Sequence, residues 1–141
     1  MAKAKVVHPE KVMPFIAPGC EGLYTSRMLI DVFNCGSDKI QVNHGVVKAG
    51  KALPGAVHEG HDELYIVMKG HADLDLGGEI VALKPGSVVF IPGGTFHALR
   101  NKSETEDFEL ITVWPGQPAP GANEMYDMRK EAWGTTYREV E

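Results

Sequence analysis

Between His58 and His97 the chain sets His58, His61, Glu63, Tyr65 and His97 on or beside stretches of strand-like composition. Neutral imidazole and carboxylate together bind divalent first-row ions such as Fe, Mn, Ni, Co or Zn, and a small ligand set leaves positions open for a substrate. Alternate side chains of an extended chain share a face, so Glu63, Tyr65 and Val67 line one side of a strand, and His97 and Leu99 one side of another. A sheet closed on itself lets such faces converge. His58, Glu63 and His97 are therefore candidate ligands for one divalent metal ion, with His61 as a fourth. Tyr65, on the face of Glu63, is a candidate general acid or hydrogen-bond donor, and His61 a candidate base. Glu59 and Asp62 flank His61 and read as solvated carboxylates, with a hydrogen bond to a ligating imidazole as the alternative.

The surrounding sequence reads as short strands joined by tight turns. Lys84-Pro85-Gly86 suits a type II turn, and Gly77-Gly78 a two-residue hairpin between Ala72–Leu76 and the run from Glu79. Pro92-Gly93-Gly94 breaks the strand that follows Gly86, so that the chain reverses and presents His97. Leu23 to Asn34 is rich in apolar and β-branched residues and is expected to be one strand, with the turn at Cys35-Gly-Ser-Asp38. From Lys39 to Lys48, Ile40, Val42, His44 and Val46 alternate with Gln41, Asn43 and Gly45. If the valines face inward, His44 does too and reaches the lumen; otherwise it is a hydrogen-bonded histidine on a strand. Phe108 to Trp114 is the last strand, with Phe108, Leu110, Thr112 and Trp114 on one face.

The two ends differ from this middle. Pro9, Pro14 and Pro18 exclude a helix from residues 1–22, an arm expected to lie over the barrel or to cross to a second subunit. After the proline-rich segment from Pro115, Asn123 caps a short helix that runs to Trp133 and stops at Gly134. Met125, Met128 and Ala132 share a side of that helix, suited to covering an opening in the barrel or docking on a partner.

A chain of 141 residues is one domain, and 16 glycines with 9 prolines favour an all-β sandwich or barrel. A net charge of −5 leaves no basic stripe for nucleic acid, and a small molecule is the better partner. No run of apolar residues reaches the length of a membrane span, and the N-terminus lacks the apolar core of a signal peptide. A soluble, cytoplasmic protein follows as the expectation, with Cys20 and Cys35 as reduced thiols.

Two spacings carry a resemblance. Gly86, Pro92, Gly94, His97 and Asn101 match every position of the second signature motif of the cupin superfamily. Gly50, His58, Glu63 and Gly70 fit the first motif, whose first histidine falls here on Ala56. His61, two residues before Glu63, would supply the missing nitrogen. The resemblance implies a single-domain cupin β-barrel, the double-stranded β-helix or jelly roll, over residues 23–114, with motifs at 50–70 and 86–101. An N-terminal arm (1–22) and a C-terminal helix or tail (115–141) complete the chain. It further implies a metal-dependent enzyme acting on an oxygen-bearing small molecule, such as a hydroxy- or keto-acid or a sugar derivative, by oxygenase, decarboxylase, isomerase or lyase chemistry. A metal-independent isomerase or epimerase and a non-catalytic sugar- or small-molecule-binding barrel are the alternatives. Exposed strand edges and the arm make a homodimer the expected assembly.

Overall fold

The computed structural model describes residues 1–141. Eight strands follow in order: β1 (Tyr24–Ile30), β2 (Gln41–Val47), β3 (Glu63–Lys69), β4 (Ala72–Leu76), β5 (Glu79–Leu83), β6 (Val88–Ile91), β7 (His97–Arg100) and β8 (Phe108–Trp114). They form a five-stranded sheet, β1-β2-β8-β3-β6, facing a three-stranded one, β5-β4-β7. The loop between β2 and β3 extends the smaller sheet, because Leu53 and Ala56 hydrogen-bond to Leu99 and His97 of β7. This pairing brings the first motif beside the second.

Interior faces follow the period of two. Glu63, Tyr65 and Val67 of β3, Leu74 of β4, His97 and Leu99 of β7, and Phe108, Leu110 and Trp114 of β8 are all buried. Val47, Leu74 and Phe108 at the centre of the core have no exposed surface. Full burial of such side chains is worth about 1.5–3 kcal/mol each. Turn chemistry sets the register: Leu76 pairs with Glu79 across Gly77-Gly78, both at positive φ, and the Ser87 amide bonds to the Lys84 carbonyl across Pro85-Gly86.

One expectation is corrected here. The strand from Leu23 ends at Ile30, and Val32–Cys35 forms a single helical turn, α1. The reason is local: the Asp31 carboxylate accepts from the amides of Phe33 and Asn34, the Asn34 side chain accepts from Asp31 N, and Gly36 closes the turn with φ 77°. The alternative left open on β2 is decided by its phase: the inward residues are Gln41, Asn43, Gly45 and Val47. His44 points away from the lumen, and its Nε2 lies 3.0 Å from Glu109 Oε1. The inward position at 45 requires glycine, because a Cβ there would stand 2.5 Å from the hydroxyl oxygen of Tyr24.

The arm folds onto its own chain. Phe15 pairs with Ser26 at the free edge of β1, Val12 bridges to Glu139, and Val12, Phe15 and Ala17 are buried. After β8, helix α2 (Glu124–Trp133) starts at Asn123, whose side chain accepts from Tyr126 N, and ends at Gly134 with φ 72°. Trp133 packs edge-on against Phe15, with centroids 5.4 Å apart, so the two ends of the chain brace each other. The buried side of α2 carries Tyr126 and Arg129, while Ala132 is exposed; the stripe of Met125, Met128 and Ala132 read from the sequence is rotated from the one observed. No helix is long and apolar enough to cross a membrane.

Candidate metal centre

His58, Glu63 and His97 meet inside the barrel, with one ligand atom from each lying within 4.8 Å of the other two. Glu63 begins β3 and His97 begins β7, so both are fixed by sheet register; His58 comes from the loop between β2 and β3. That loop is held by its neighbour motif. The Gly94 amide donates to the His58 carbonyl at 3.1 Å and the Gly93 amide to Asp62 Oδ1 at 3.1 Å. A Cβ on Gly93 would approach His61 N to 2.9 Å, so glycine permits the two loops to touch. Asp62 thus ties loop to loop, and neither it nor the Glu59 carboxylate hydrogen-bonds a ligand histidine.

Hydrogen bonds fix how the donor atoms face one another. His97 Nδ1 lies 3.0 Å from the Thr95 carbonyl, which only accepts, so Nδ1 carries the hydrogen and Nε2 is left facing Glu63 Oε1 at 3.4 Å. Trp114 Nε1 donates to Glu63 Oε2 at 2.8 Å and orients the carboxylate. Glu63 is 7% exposed and its Oε1 has no hydrogen-bond donor. An ionised oxygen buried in this way is costly unless a cation faces it. Burial pushes His58 below the ordinary histidine value, against the opposing pull of Glu63. Burial acts downward on His97 too, but the facing Glu63 carboxylate and the Thr95 carbonyl outweigh it and leave the value raised. A donor set of two imidazoles and one carboxylate, with an unused carboxylate oxygen between them, fits a divalent transition ion.

His61 lies outside this group. Its Nδ1 is 2.9 Å from the Glu59 carbonyl and its ring rests 5.0 Å from that of Trp114. Ala56, where the motif's other histidine would stand, pairs with His97 and lines the cavity. Tyr65 is buried above Val67 on β3, its ring 6.0 Å from that of His97. Burial and the nearby Glu63 push its hydroxyl well above the ordinary tyrosine value, so it is a proton-bearing donor at neutral pH. Asn101, the last residue of the second motif, serves the frame: its amide donates to the carbonyls of Val47 and Glu106, and its Oδ1 accepts from Ser103 N.

A cavity of about 310 Å³ is lined by two of the three ligands, His58 and Glu63. Tyr24, Tyr65 and Trp114 wall one part of it, and Gln41, Tyr126 and Arg129 another. Sequence reasoning missed Trp114 and Arg129 as site residues. A signal existed for each: a buried indole N–H needs an acceptor, and polar Gln41 and Asn43 on an otherwise apolar strand imply a polar neighbour.

The family model for the cupin domain matches residues 43–114, half of the chain, and the protein belongs to the cupin family. The polyketide cyclase RemF from Streptomyces resistomycificus is a similar solved structure, 27% identical, with 86% of each chain covered and a TM-score of 0.73. An RmlC-like cupin from Shewanella frigidimarina shares the fold at 17% identity and a TM-score of 0.66, over 85% of this chain and 96% of that one. Among curated relatives, the mannose-1-phosphate guanylyltransferase of Escherichia coli is 32% identical over 79 residues, 56% of this chain. The chain spans only 16% of that enzyme's length.

Proposed function

We propose that the protein is a metal-dependent small-molecule enzyme acting on an oxygen-bearing substrate. His58, Glu63 and His97 would hold one divalent transition-metal ion, and the observation that carries the reading is the buried, donorless Oε1 of Glu63 between two imidazoles. When bound, the ion supplies Lewis-acid polarisation of a carbonyl or enolate oxygen. The chain's own contribution is to position and to move a proton. Tyr65 offers an un-ionised hydroxyl inside the cavity, and Trp114 fixes the Glu63 carboxylate. The aromatic walls exclude water, so polar contacts to the substrate act at low dielectric. His61, its ring against Trp114 and its Nε2 free of the Glu59 contact, is proposed as the second proton carrier.

The similarity to a polyketide cyclase over 86% of the chain supports an enzyme, with oxygenase, decarboxylase, isomerase and lyase chemistry all open to it. Alanine at position 56 favours a second reading, a metal-independent isomerase in which Tyr65 and His61 act alone. Elemental analysis separates the two. About one transition-metal ion per chain in the purified protein, lost in Glu63→Gln together with turnover, supports the first; a metal-free active protein rejects it.

A homodimer is proposed as the assembly. Met68, Val88 and Phe90 on the outer face of β3 and β6 are more than half exposed, and this patch suits a second copy better than water. Light scattering after size-exclusion chromatography tests this, with a Phe90→Glu variant expected to run as a monomer.

A further inference from the structure

Arg129 is 1% exposed and projects from α2 against β1 and β2. Its Nη1 donates to Asn43 Oδ1 at 3.2 Å and its Nη2 to Ser26 Oγ at 2.6 Å, while Nε is buried without an acceptor. Both partners are neutral, and no carboxylate oxygen forms an ion pair with the guanidinium. Asp31 is the one acid whose charge favours it, and that carboxylate already accepts from the amides of Phe33 and Asn34 and from the Thr136 hydroxyl. Gln41, also 1% exposed, has a side-chain nitrogen, Nε2, with no acceptor. Arg129 and Gln41 line the same cavity as His58 and Glu63.

A buried guanidinium that hydrogen-bonds only neutral oxygens, with the Phe15 ring 5.5 Å from its Cζ, is a costly arrangement without an anion beside it. Burial lowers its pKa to about 10, which still leaves it charged at neutral pH. Tyr24, which lines the same cavity, feels the charges of both Arg129 and Glu63. Unused N–H groups on a planar cation and an amide match the two oxygens of a carboxylate, and the lining Tyr24, Tyr65 and Trp114 suit an apolar or aromatic body.

We propose that Arg129 and Gln41 form a carboxylate-docking subsite, and that the substrate is a hydroxy- or keto-acid whose remaining oxygen faces His58, Glu63 and His97. This deepens the proposed function and rests on it only in taking the same cavity as the active site. Helix α2, outside the matched family region, would then determine substrate class.

The test is calorimetric titration with phenylpyruvate and its methyl ester, which share a body and a keto group and differ in the charged end. Wild-type protein is expected to bind the acid at least about tenfold more tightly than the ester. In Arg129→Met the acid should weaken by roughly 30–100-fold and the ester by only a few-fold, with Arg129→Lys recovering part of the loss. The metal-deficient His97→Ala variant should keep the preference for acid over ester, so that the subsite stands or falls apart from the metal reading. Equal binding of acid and ester, undiminished acid binding in Arg129→Met, or no binding of the acid at millimolar concentration would each overturn the proposal. Should Arg129→Met fail to fold, the acid-to-ester ratio of Gln41→Leu decides: a ratio equal to that of wild type counts against the subsite.

Discussion

At one end of the cavity His58, Glu63 and His97 stand on sheet register and on two loops that hydrogen-bond to each other; at the other, Arg129 hangs from a helix added after the last strand. At the first end a buried carboxylate oxygen, Glu63 Oε1, has no hydrogen-bond donor and faces the His97 ring nitrogen at 3.4 Å. The second is cationic and short of an anion, since Arg129 has no carboxylate partner. Both are buried, so neither is neutralised by water. An ion at one end and a ligand oxyanion at the other relieve both, and the pair together describes the molecule that fits between.

The largest effect expected from dismantling one end is in His97→Ala, which removes a nitrogen 3.4 Å from Glu63. Metal content measured by elemental analysis should fall to background, and turnover with it. Next is Trp114→Phe, which keeps the ring and deletes the N–H that orients Glu63. A metal-competition titration should show affinity lowered about 10–100-fold. Ala56→His restores the motif's missing donor at a position lining the cavity, and the same titration should show affinity raised on the order of tenfold.

At the other end, Arg129→Met exchanges a poorly compensated buried charge for an apolar side chain of similar length. Urea denaturation of the unliganded protein should show a loss of only about 1–2 kcal/mol, from the bonds to Ser26 and Asn43, with metal content unchanged. A loss well above that would make Arg129 a structural strut rather than a ligand-binding group. Smallest is Glu109→Gln, which touches the His44 pair on the outer face of the sheet, remote from both ends. It should cost no more than about 1 kcal/mol in the same denaturation and leave metal and ligand binding as they are.

Much of the frame was legible in the sequence because turns and strands are local. Gly77-Gly78, Lys84-Pro85-Gly86, Asn123 and Gly134 act through their own backbone conformation or the next few residues, and each does in the fold what its type implies. The strand around Asp31 was misread because a capping carboxylate competes with sheet pairing, and apolar composition hides that competition. Along β2 the alternation was clear but its phase was not. Two faces of a strand are equivalent until something packs on one of them, and here a polar lumen drew in Gln41 and Asn43 and left His44 outside.

The motif spacing by itself determined that Glu63 and His97 begin strands and that His58 precedes Glu63 by a fixed stretch of loop, because such spacings encode which face and which end of a strand a side chain occupies. Only the tertiary structure decided that His61 sits apart against Trp114, that Trp114 holds Glu63, and that Arg129, 66 residues beyond Glu63, closes the far end of the same cavity. Those are contacts between elements distant in sequence. Which groups meet there depends on how a helix docks on a closed sheet, and no local pattern records the angle at which it arrives.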